Sequence, residues 1–503
     1  MLIMNLCKLI LALEKSPIEH RIHLPEGCAA DEIELKGLVC DSRKAAPGVV
    51  FAATKGGHRD AHDFIPAAVE AGAPVVLCER EVDASVPQIV CPNVRSAMGE
   101  VASLLYGEPS RKMTMIALTG TNGKTTSTFM TQAVLNHAGI KTGLMGTILY
   151  DDGREVEEAE HTTPEGCDIQ NLLARMAANG CKACVMEASS HAIVQGRIDG
   201  LRYDRAGFTN LTLEHLDFHK DMENYFLAKK SLFDGYMRNN WKASINVDDQ
   251  YGRRLYEALG KRAISYSMLD EGADFFASVK NVTVEGLDIE IKTPESQEKK
   301  SIKLPILGAY NVLNALQALS LAWSIGISAQ SALEALERMP QVPGRLERYR
   351  LSNGASCVID FAHSSDGLEK VLSAVRPICK RKLYVVFGAG GDRDTSKRPI
   401  MGEIASRLGD FVVVTSDNPR SEEPASIMAA IEPGVKEHDT PYTMIADRRQ
   451  GIYYGLEQAG ADDVVVVAGR GPETHQILKD GPVPLIDKEI LQDWCRRSGT
   501  EIL

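Results

Sequence analysis

The chain has 503 residues, of which 44% are hydrophobic and 25% are charged. This length exceeds what one hydrophobic core usually supports and predicts about three domains of ordinary globular composition. The formal net charge of -12, without a basic stripe interleaved with aromatic residues, argues against nucleic acid or an anionic membrane as a partner. Eleven scattered cysteines, an odd number, are typical of a reducing cytoplasm rather than of a disulfide framework.

The first segment, MLIMNLCKLILALEK, predicts an amphipathic helix rather than a signal peptide, because Asn5 and Lys8 interrupt its apolar run. No stretch reaches the roughly 18 apolar residues that a membrane span needs. Short strands and Gly/Pro turns fill residues 1–110, strands alternate with helices over 111–340, and the segment MPQVPGR marks the start of a last domain, 341–503. The predicted fold class is therefore α/β in three domains, the central one a mostly parallel sheet and the last one Rossmann-like.

A candidate phosphate-binding loop, TGTNGKTT, occupies residues 119–126 between an apolar strand, MTMIALTG, and a helical segment. Glycines allow backbone N–H groups to approach phosphate oxygens, and the N-terminus of the helix favours the anion. Lys124 can reach the β and γ phosphates, and Thr125 can hold Mg²⁺. Only Thr121 and Asn122 separate Gly120 from Gly123, where the full pattern has four residues. The strand before the loop and the helix after it favour nucleotide binding over a fortuitous turn.

Three apolar strands near the C-terminus each lead into a loop rich in glycine and charge. KLYVVFG precedes AGGDRD, DFVVVTS precedes DNPR, and DDVVVVAG precedes RGPETH. In open parallel sheets, ligands bind at the carboxyl ends of the strands. We therefore expect these three loops to converge on one ligand.

One lysine lies on an apolar helical stripe. The stripe, with spacings of 3, 4, 3 and 4, comprises Met222, Tyr225, Lys229, Leu232 and Tyr236. An unpaired buried charge is costly, so Lys229 either extends its ammonium to the surface or is modified or used at a site.

Several residues are candidate metal ligands. Glu187 ends the apolar strand ACVMEASS, where a carboxylate near a phosphate loop suits Mg²⁺. His215 and His219 have a spacing that suits zinc on one helical face, but no third ligand is arranged with them, and core or capping histidines are commoner. Cys181 and Cys184 form a single C-x-x-C motif, which predicts a buried strand rather than a zinc site.

The motifs TGTNGKTT, MEASSH, TNLTLEHLDFH, YFLAKKSLF, GAYNVLNAL, VPGRLER and DNPR occur in the order found in the Mur ligases. The resemblance runs over essentially the whole chain, and the segment beginning CDSRKAAPGVVFAATKGGHRDAHDF is similar to a uridine-binding domain of that family. It implies an ATP-dependent ligase of peptidoglycan synthesis that forms an acyl phosphate on the D-Glu γ-carboxylate of UDP-N-acetylmuramoyl-L-Ala-D-Glu. The acyl group would pass to meso-diaminopimelate, which the DNPR pattern accompanies in the family.

Three alternatives remain. The chain could use L-lysine or another diamino acid. It could be a divergent ligase with another acceptor, such as a folylpolyglutamate-type ligase, although the uridine-type segment argues against this. It could be a nucleotide-binding regulator without catalysis, although four retained residues argue against this: Lys124, Glu187, His215 and Lys229.

The resemblance also implies site residues. The ATP-binding residues would be Gly120, Thr121, Asn122, Gly123, Lys124, Thr125, Thr126, Asn311, Arg345 and Asp360. The UDP-substrate would be held by Ser42, His58, Thr162, Thr163, Ser189, Gln195 and Arg197. The amino acid would be held by Arg393, Asp417, Asn418, Arg420, Gly469 and Glu473. Two Mg²⁺ ions would be bound by Thr125, Glu187, His215 and Lys229.

In this family the lysine that Lys229 matches is carbamylated by CO₂, and the implied catalytic residues are Lys124, His215 and Lys229. We expect a cytoplasmic enzyme, monomeric, whose partners are its small-molecule substrates.

Six positions depart from the family pattern, and most of them lie on the C-terminal loops: His161, Phe361, Ser365, Arg470, Pro472 and His475. These departures concern the choice of amino acid more than the class of reaction.

Overall fold

The computed structural model describes residues 4–56 and 59–503, and their contacts divide the chain into two units. Unit 1 comprises Met1–Phe276, Thr293–Gln297 and Leu313–Ala335, and unit 2 comprises Ala277–Lys292, Glu298–Val312 and Leu336–Leu503. Unit 2 is therefore discontinuous in sequence. The boundaries at 110/111 and 340/341 stay predictions.

The helices are α1 Leu6–Leu13, α2 Ile65–Glu70, α3 Val94–Leu105, α4 Lys124–His137, α5 Gly166–Ala178, α6 Ser190–Val194, α7 Leu216–His219, α8 Met222–Gly235, α9 Gln250–Leu259, α10 Asn311–Ser324, α11 Ala329–Glu337, α12 Ser365–Val375, α13 Lys397–Leu408, α14 Pro424–Val435, α15 Arg448–Gln458 and α16 Asp487–Ser498. In the described part of the chain, none of them combines the length and apolar character that crossing a membrane requires.

The strands are β1 Met4–Asn5, β2 Arg21–His23, β3 Glu34–Leu35, β4 Gly37–Val39, β5 Val49–Ala52, β6 Val76–Cys78, β7 Gln88–Val90, β8 Thr114–Thr119, β9 Thr142–Met145, β10 Leu149–Asp151, β11 Val156–Glu158, β12 Ala183–Glu187, β13 Tyr203–Phe208, β14 Met237–Asn246, β15 Ala263–Ser267, β16 Phe275–Thr283, β17 Gly286–Thr293, β18 Ser296–Leu304, β19 Glu347–Arg350, β20 Ser356–Asp360, β21 Leu383–Phe387, β22 Phe411–Thr415, β23 Tyr442–Ile445, β24 Val464–Ala468, β25 His475–Leu478 and β26 Gly481–Pro484.

The N-terminal part of unit 1 is a sheet of order β2-β7-β6-β5-β4, in which only the β2–β7 pair is antiparallel. The predicted first helix is confirmed as α1. The Asn5 side chain caps it by accepting a hydrogen bond from Lys8 N, and its apolar stripe is fully buried in the core of this sheet: Leu6, Leu9 and Leu13.

The middle of unit 1 is a sheet whose strands β9, β12, β8, β13, β14 and β15 run parallel in that order, with β10 and β11 antiparallel at one edge. β8 and β12 are buried along nearly their whole length, as their continuous apolar sequences predict. Neighbouring parallel strands end at the same edge, so the loops after β8 and β12 emerge side by side.

The main sheet of unit 2 has the order β19-β20-β24-β21-β22-β23, and only the β19–β20 pair is antiparallel. The three strands predicted near the C-terminus are β21, β22 and β24. They are fully buried apart from Phe411 and lie adjacent and parallel, so the prediction is confirmed. Their alternating side chains supply two hydrophobic cores, one on each face of the sheet.

Candidate functional site

The phosphate loop joins β8 to α4, as its sequence predicts. Gly120 has φ of 144°, and a Cβ added there would collide with Thr209 Oγ1, so only glycine fits. Gly123, with φ of 85°, caps α4. The Lys124 ammonium lies over the loop and donates to the carbonyls of Gly120 and Thr121 at 3.0 and 2.9 Å. The loop therefore places a cation and the N-terminus of a helix at one point.

Lys229 lies beneath this loop on α8. Its side chain is buried, 1% exposed, and its Nζ donates to Gly120 O at 2.8 Å and lies 4.6 Å from the centre of the Tyr225 ring. Burial, together with the charge of Lys124, lowers the pKa of Lys229 well below its usual value. The interpretation that this lysine extends to the surface is wrong. Its amine is held against the phosphate loop, where burial disfavours the charged form.

His215 and His219 lie at the same site but not as a zinc pair on one helical face. His215 precedes α7 and has φ of 57°, whereas His219 Nε2 lies 2.9 Å from Ser190 Oγ and its ring stacks on Tyr225 at 4.8 Å. Burial lowers the pKa of both rings, that of His219 to about 4. His219 is a core histidine, while His215 stays half-exposed beside the phosphate loop.

His191 was missed by the sequence analysis. Its ring lies 4.9 Å from that of His215 and 5.5 Å from that of His219. The only signal in the sequence was its position in the motif MEASSH, directly after β12.

Glu187 ends β12 and is fully buried. Its Oε1 accepts from Thr147 N at 2.8 Å, and its Oε2 lies 3.0 Å from Thr147 Oγ1. Both donors are neutral groups of Thr147, and carboxylate oxygens are among the ligands that Mg²⁺ prefers. This arrangement fits the predicted Mg²⁺ ligand. Thr147, which no motif indicated, is the residue that orients it.

The predicted peptide-binding residues of unit 1 meet around Thr163. Its Oγ1 donates to Glu187 O at 2.8 Å and accepts from Ser189 N at 3.1 Å. Its carbonyl accepts from Arg197 Nη1 at 3.0 Å. The buried Gln195 Oε1 has no hydrogen-bond partner among the described residues, which leaves an acceptor for a ligand.

Two further residues connect to this group. Thr162 Oγ1 lies 3.1 Å from Thr147 Oγ1, and Glu165 pairs with Arg197 at 3.2 Å. Ser42 is half-buried in a short 3₁₀ turn, Ser42–Lys44, which the Asp41 side chain caps. His58 lies outside the described residues.

Three of the residues predicted to contact the nucleotide lie in unit 2: Asn311, Arg345 and Asp360. Asn311 Nδ2 donates to Leu307 O at 2.7 Å. Asp360 ends β20, and its Oδ2 accepts from Leu346 N at 2.7 Å. Burial raises the pKa of Asp360 to about 6, against the opposing charge of Arg345. The Arg345 guanidinium lies 5.1 Å from the centre of the Phe361 ring, so the aromatic ring at position 361 supports this arginine by a cation–π contact.

The three C-terminal loops converge as the parallel strands predict. Asn418 Nδ2 donates to Glu473 Oε2 at 2.8 Å, and Arg420 Nη1 donates to Gly391 O at 2.8 Å. Glu422 pairs with Arg398 at 2.8 Å, not with Arg420. Arg393 is exposed on the same loop as Gly391. These contacts join AGGDRD, DNPR and RGPETH.

Two departures from the family pattern have different surroundings. Arg470 is fully buried, donates to Leu485 O at 2.9 Å and lies 3.4 Å from Glu473, and its buried Nη1 has no partner among the described residues. Pro472 packs against Gly344, where an added Cβ would collide with it. Arg470 therefore borders the amino-acid site, whereas Pro472 fixes the loop behind it.

The two remaining residues predicted for the amino acid, Asp417 and Gly469, lie at the same strand ends. Asp417 is buried, and its Oδ2 has no partner among the described residues. Gly469 follows β24 and donates its N–H to Asp360 O at 3.1 Å.

A phosphate loop with a buried lysine and a buried carboxylate beside it, in an α/β chain with a second loop-lined site, defines a nucleotide-dependent ligase. The sequence matches the catalytic domain of the Mur ligase family over residues 34–106, the Mur ligase middle domain over 118–322, and the Mur ligase glutamate ligase domain over 344–471. The chain belongs to the Mur ligase family, the ATP-dependent ligases that the sequence motifs indicate.

One relative, from Caldanaerobacter subterraneus subsp. tengcongensis, is named UDP-N-acetylmuramoyl-L-alanyl-D-glutamate–2,6-diaminopimelate ligase. It is 39% identical over 469 residues, 93% of this chain and 96% of the relative. A solved structure with the same protein name has a TM-score of 0.68 and 29% identity, and covers 99% of this chain and 100% of that one. The MurF ligase of Thermotoga maritima in complex with ADP shares the fold at a TM-score of 0.65 and 19% identity, covering 92% and 97%.

Proposed function

We propose that this chain uses ATP to join meso-2,6-diaminopimelate to the D-Glu γ-carboxylate of UDP-N-acetylmuramoyl-L-Ala-D-Glu, in peptidoglycan synthesis. The observation that carries the proposal is the convergence of Asn418, Arg420 and Glu473. Diaminopimelate differs from lysine by a carboxylate beside its distal amine. Arg420 offers the planar fork that binds a carboxylate, and Glu473 offers a charge for the amine. The name of the 39% identical relative supports the same substrates.

The reaction proceeds in two displacements. The γ-carboxylate attacks the γ-phosphorus of ATP, the bond from that phosphorus to ADP breaks, and an acyl phosphate forms. The amine of the amino acid then attacks the acyl carbon, inorganic phosphate leaves, and the ammonium proton is lost to give the amide. Lys124 moves from the loop carbonyls to the phosphates and balances their charge, so catalysis rests on positioning and electrostatics.

Two Mg²⁺ ions belong to the proposal, and when bound they would balance the charge of the phosphate groups. Thr125 and Glu187 would hold one, and His215 with a modified Lys229 would hold the other. Glu187 fits because its buried carboxylate accepts from the neutral N–H and hydroxyl of Thr147. Lys229 fits because its amine is buried beside the phosphate loop, where burial favours the uncharged form that attacks CO₂. One N–C bond forms, one proton leaves, and a carbamate replaces the buried amine.

The acceptor would lie along the group around Thr163. The peptide and pyrophosphate would contact Thr162, Thr163, Ser189, Gln195 and Arg197, and the uridine end would contact Ser42 and His58. The unpartnered Gln195 oxygen suits a peptide N–H. We further propose a monomer in the cytoplasm, in line with eleven cysteines that are all free thiols.

The test is ADP release with each substrate omitted in turn, followed by competition between meso-diaminopimelate and L-lysine. We expect release that requires both the UDP-dipeptide and the amino acid, and a preference for diaminopimelate. Arg420→Ala should lower kcat/KM for diaminopimelate by at least tenfold and reduce discrimination. Arg496→Ala removes an exposed arginine elsewhere in unit 2 and should change neither. Preference for lysine by the wild type, or unchanged discrimination in Arg420→Ala, would overturn the choice of amino acid.

A further inference from the structure

Two thiols and a carboxylate meet in unit 1 away from the residues assigned so far. The Sγ atoms of Cys40 and Cys167 and a carboxylate oxygen of Asp168 all lie within 4.8 Å of one another. Cys40 follows β4 of the N-terminal sheet, whereas Cys167 and Asp168 lie in the first turn of α5. Residues 127 positions apart in sequence therefore present three ligand atoms to one point. We propose that this cluster, the Cys40 site, binds a thiophilic divalent cation of the Zn²⁺ class.

The donor set selects the class of metal. Two thiolates and one carboxylate suit Zn²⁺, whereas Mg²⁺ and Ca²⁺ take oxygen ligands almost exclusively. Bonds of about 2.3 Å to sulfur and about 2.1 Å to oxygen place tetrahedral ligands roughly 3.4–3.8 Å apart. The three atoms, now within 4.8 Å of one another, need to close by about 1.4 Å at most. Cys40 is half-exposed, so a cation can enter from solvent and keep a water as its fourth ligand.

Burial at the site makes cation binding and the loss of protons depend on each other. Cys167 is fully buried, and its hydrogen bond with Cys40 and its burial raise its thiol pKa well above the usual value. Burial also raises the pKa of Asp168, with Lys44 and His161 opposing and Glu160 and Glu165 adding to the shift. A divalent cation would balance the thiolate and carboxylate charges that burial disfavours, so binding at this site should release protons.

The Cys40 site adjoins the proposed acceptor site without sharing its side chains. Cys40 lies two residues before Ser42, and Cys167 lies four residues after Thr163. A cation there would join the turn that carries Ser42 to the loop that carries Thr162 and Thr163. The binding itself is independent of the proposed ligase reaction.

Thiolate binding can be measured directly with Cd²⁺, which gives an ultraviolet charge-transfer band on cysteine sulfur but not on histidine. The full-length, reduced, chelator-treated protein is titrated with Cd²⁺ in excess Mg²⁺, and Zn²⁺ is then added as competitor. We expect a band that saturates at one equivalent and that Zn²⁺ displaces. Cys40→Ser and Cys167→Ser should each lose at least half of it, and Asp168→Asn should keep the band but weaken Zn²⁺ binding by about tenfold or more.

The matched control is the pair of the C-x-x-C motif, Cys181 and Cys184, both buried where the chain enters β12. The double variant Cys181→Ser/Cys184→Ser should keep the full band. Circular dichroism checks that each variant is folded. If Cys167→Ser does not fold, the loss of the Cd²⁺ band is judged from Cys40→Ser, which changes a half-exposed residue. Full intensity in Cys40→Ser, loss of the band in the control, or no band in the wild type would overturn the proposal. The Cd²⁺ band does not depend on ADP release. A failed Cd²⁺ titration would therefore count against the Cys40 site, whereas absent ADP release would count against the proposed function.

Discussion

Lys229 is buried against the phosphate loop, whereas the next residue, Lys230, is not. The proposed catalytic role of Lys229 can therefore be tested by comparing variants of these two lysines. Lys230 lies on the same helix but pairs with Asp234 at 2.7 Å near the surface. We expect Lys229→Ala to lose most of the ligase activity and to recover part of it with added formate or acetate, which replace the missing carboxylate. Lys230→Ala should keep near-normal activity. Full activity in Lys229→Ala, measured as ADP release, would contradict a catalytic role.

The buried carboxyl group of Asp360 should make the free energy of unfolding depend on pH. Its pKa rises from 3.8 to about 6 on burial, so the folded state binds the proton more tightly than the unfolded chain. The stabilisation is present below pH 3.8 and is lost as the pH rises through about 6. Between those two pH values the free energy of unfolding of the wild type should fall by at most about 3 kcal/mol. Asp360→Asn, which has no carboxyl group at this position, should not show this fall.

Urea unfolding at pH 4.5 and 7.5 measures this loss. Replacing Trp241 and Trp323 by Phe leaves Trp494 of unit 2 as the only tryptophan reporter. Asp366→Asn, at a surface residue paired with Lys370, is the control. An equal pH dependence in the wild type and Asp360→Asn would show that Asp360 is not the source.

At the scale of secondary-structure elements, a buried ion pair joins α15 to α16. Arg448 and Asp487 are both fully buried in their side chains, with nitrogen–oxygen distances of 2.6 and 2.8 Å. Arg448→Met leaves a buried carboxylate without its partner, and we expect a loss of about 3–5 kcal/mol in the free energy of unfolding. Arg449→Met removes a half-exposed arginine from the same helix and should cost under about 1 kcal/mol.

A double variant, Arg448→Met/Asp487→Leu, separates the pair from the packing around it. Removing both charges should recover most of the loss, because no buried ion remains. The same Trp494 fluorescence reports all three variants. A double variant as unstable as Arg448→Met would assign the effect to shape rather than charge.

At the scale of the whole molecule, unit 2 is assembled from three separate segments of the chain. Residues 277–292 and 298–312 belong to it, because Val282 and Val284 pack against its core and Arg348 donates to Val284 O. A fragment 341–503 should therefore melt at a lower temperature than a fragment 277–503, which contains every residue of unit 2. Equal melting temperatures in calorimetry would show that the strands from 277 onward add nothing.

The strands that could be predicted are those whose sequence alone carries the signal. β8, β12, β21, β22 and β24 are short, continuous apolar runs, and their order places the loops at one edge. Thr147, Glu165 and His191 could not be found this way. Each acts through a partner, Glu187, Arg197 or His215 respectively, and in all three contacts the partner lies tens of residues away in sequence. Local patterns carry no information on such pairings.

The burial of the Lys229 amine also sets a timescale. With 1% exposure, the amine can exchange with dissolved gas only when α8 or the phosphate loop opens locally. Gain and loss of the modification would then follow the frequency of that opening rather than the speed of the chemistry. The extent of carbamylation in a preparation would depend on the CO₂ to which the protein was exposed while it was made. Degassed enzyme would regain turnover with a lag after bicarbonate is returned.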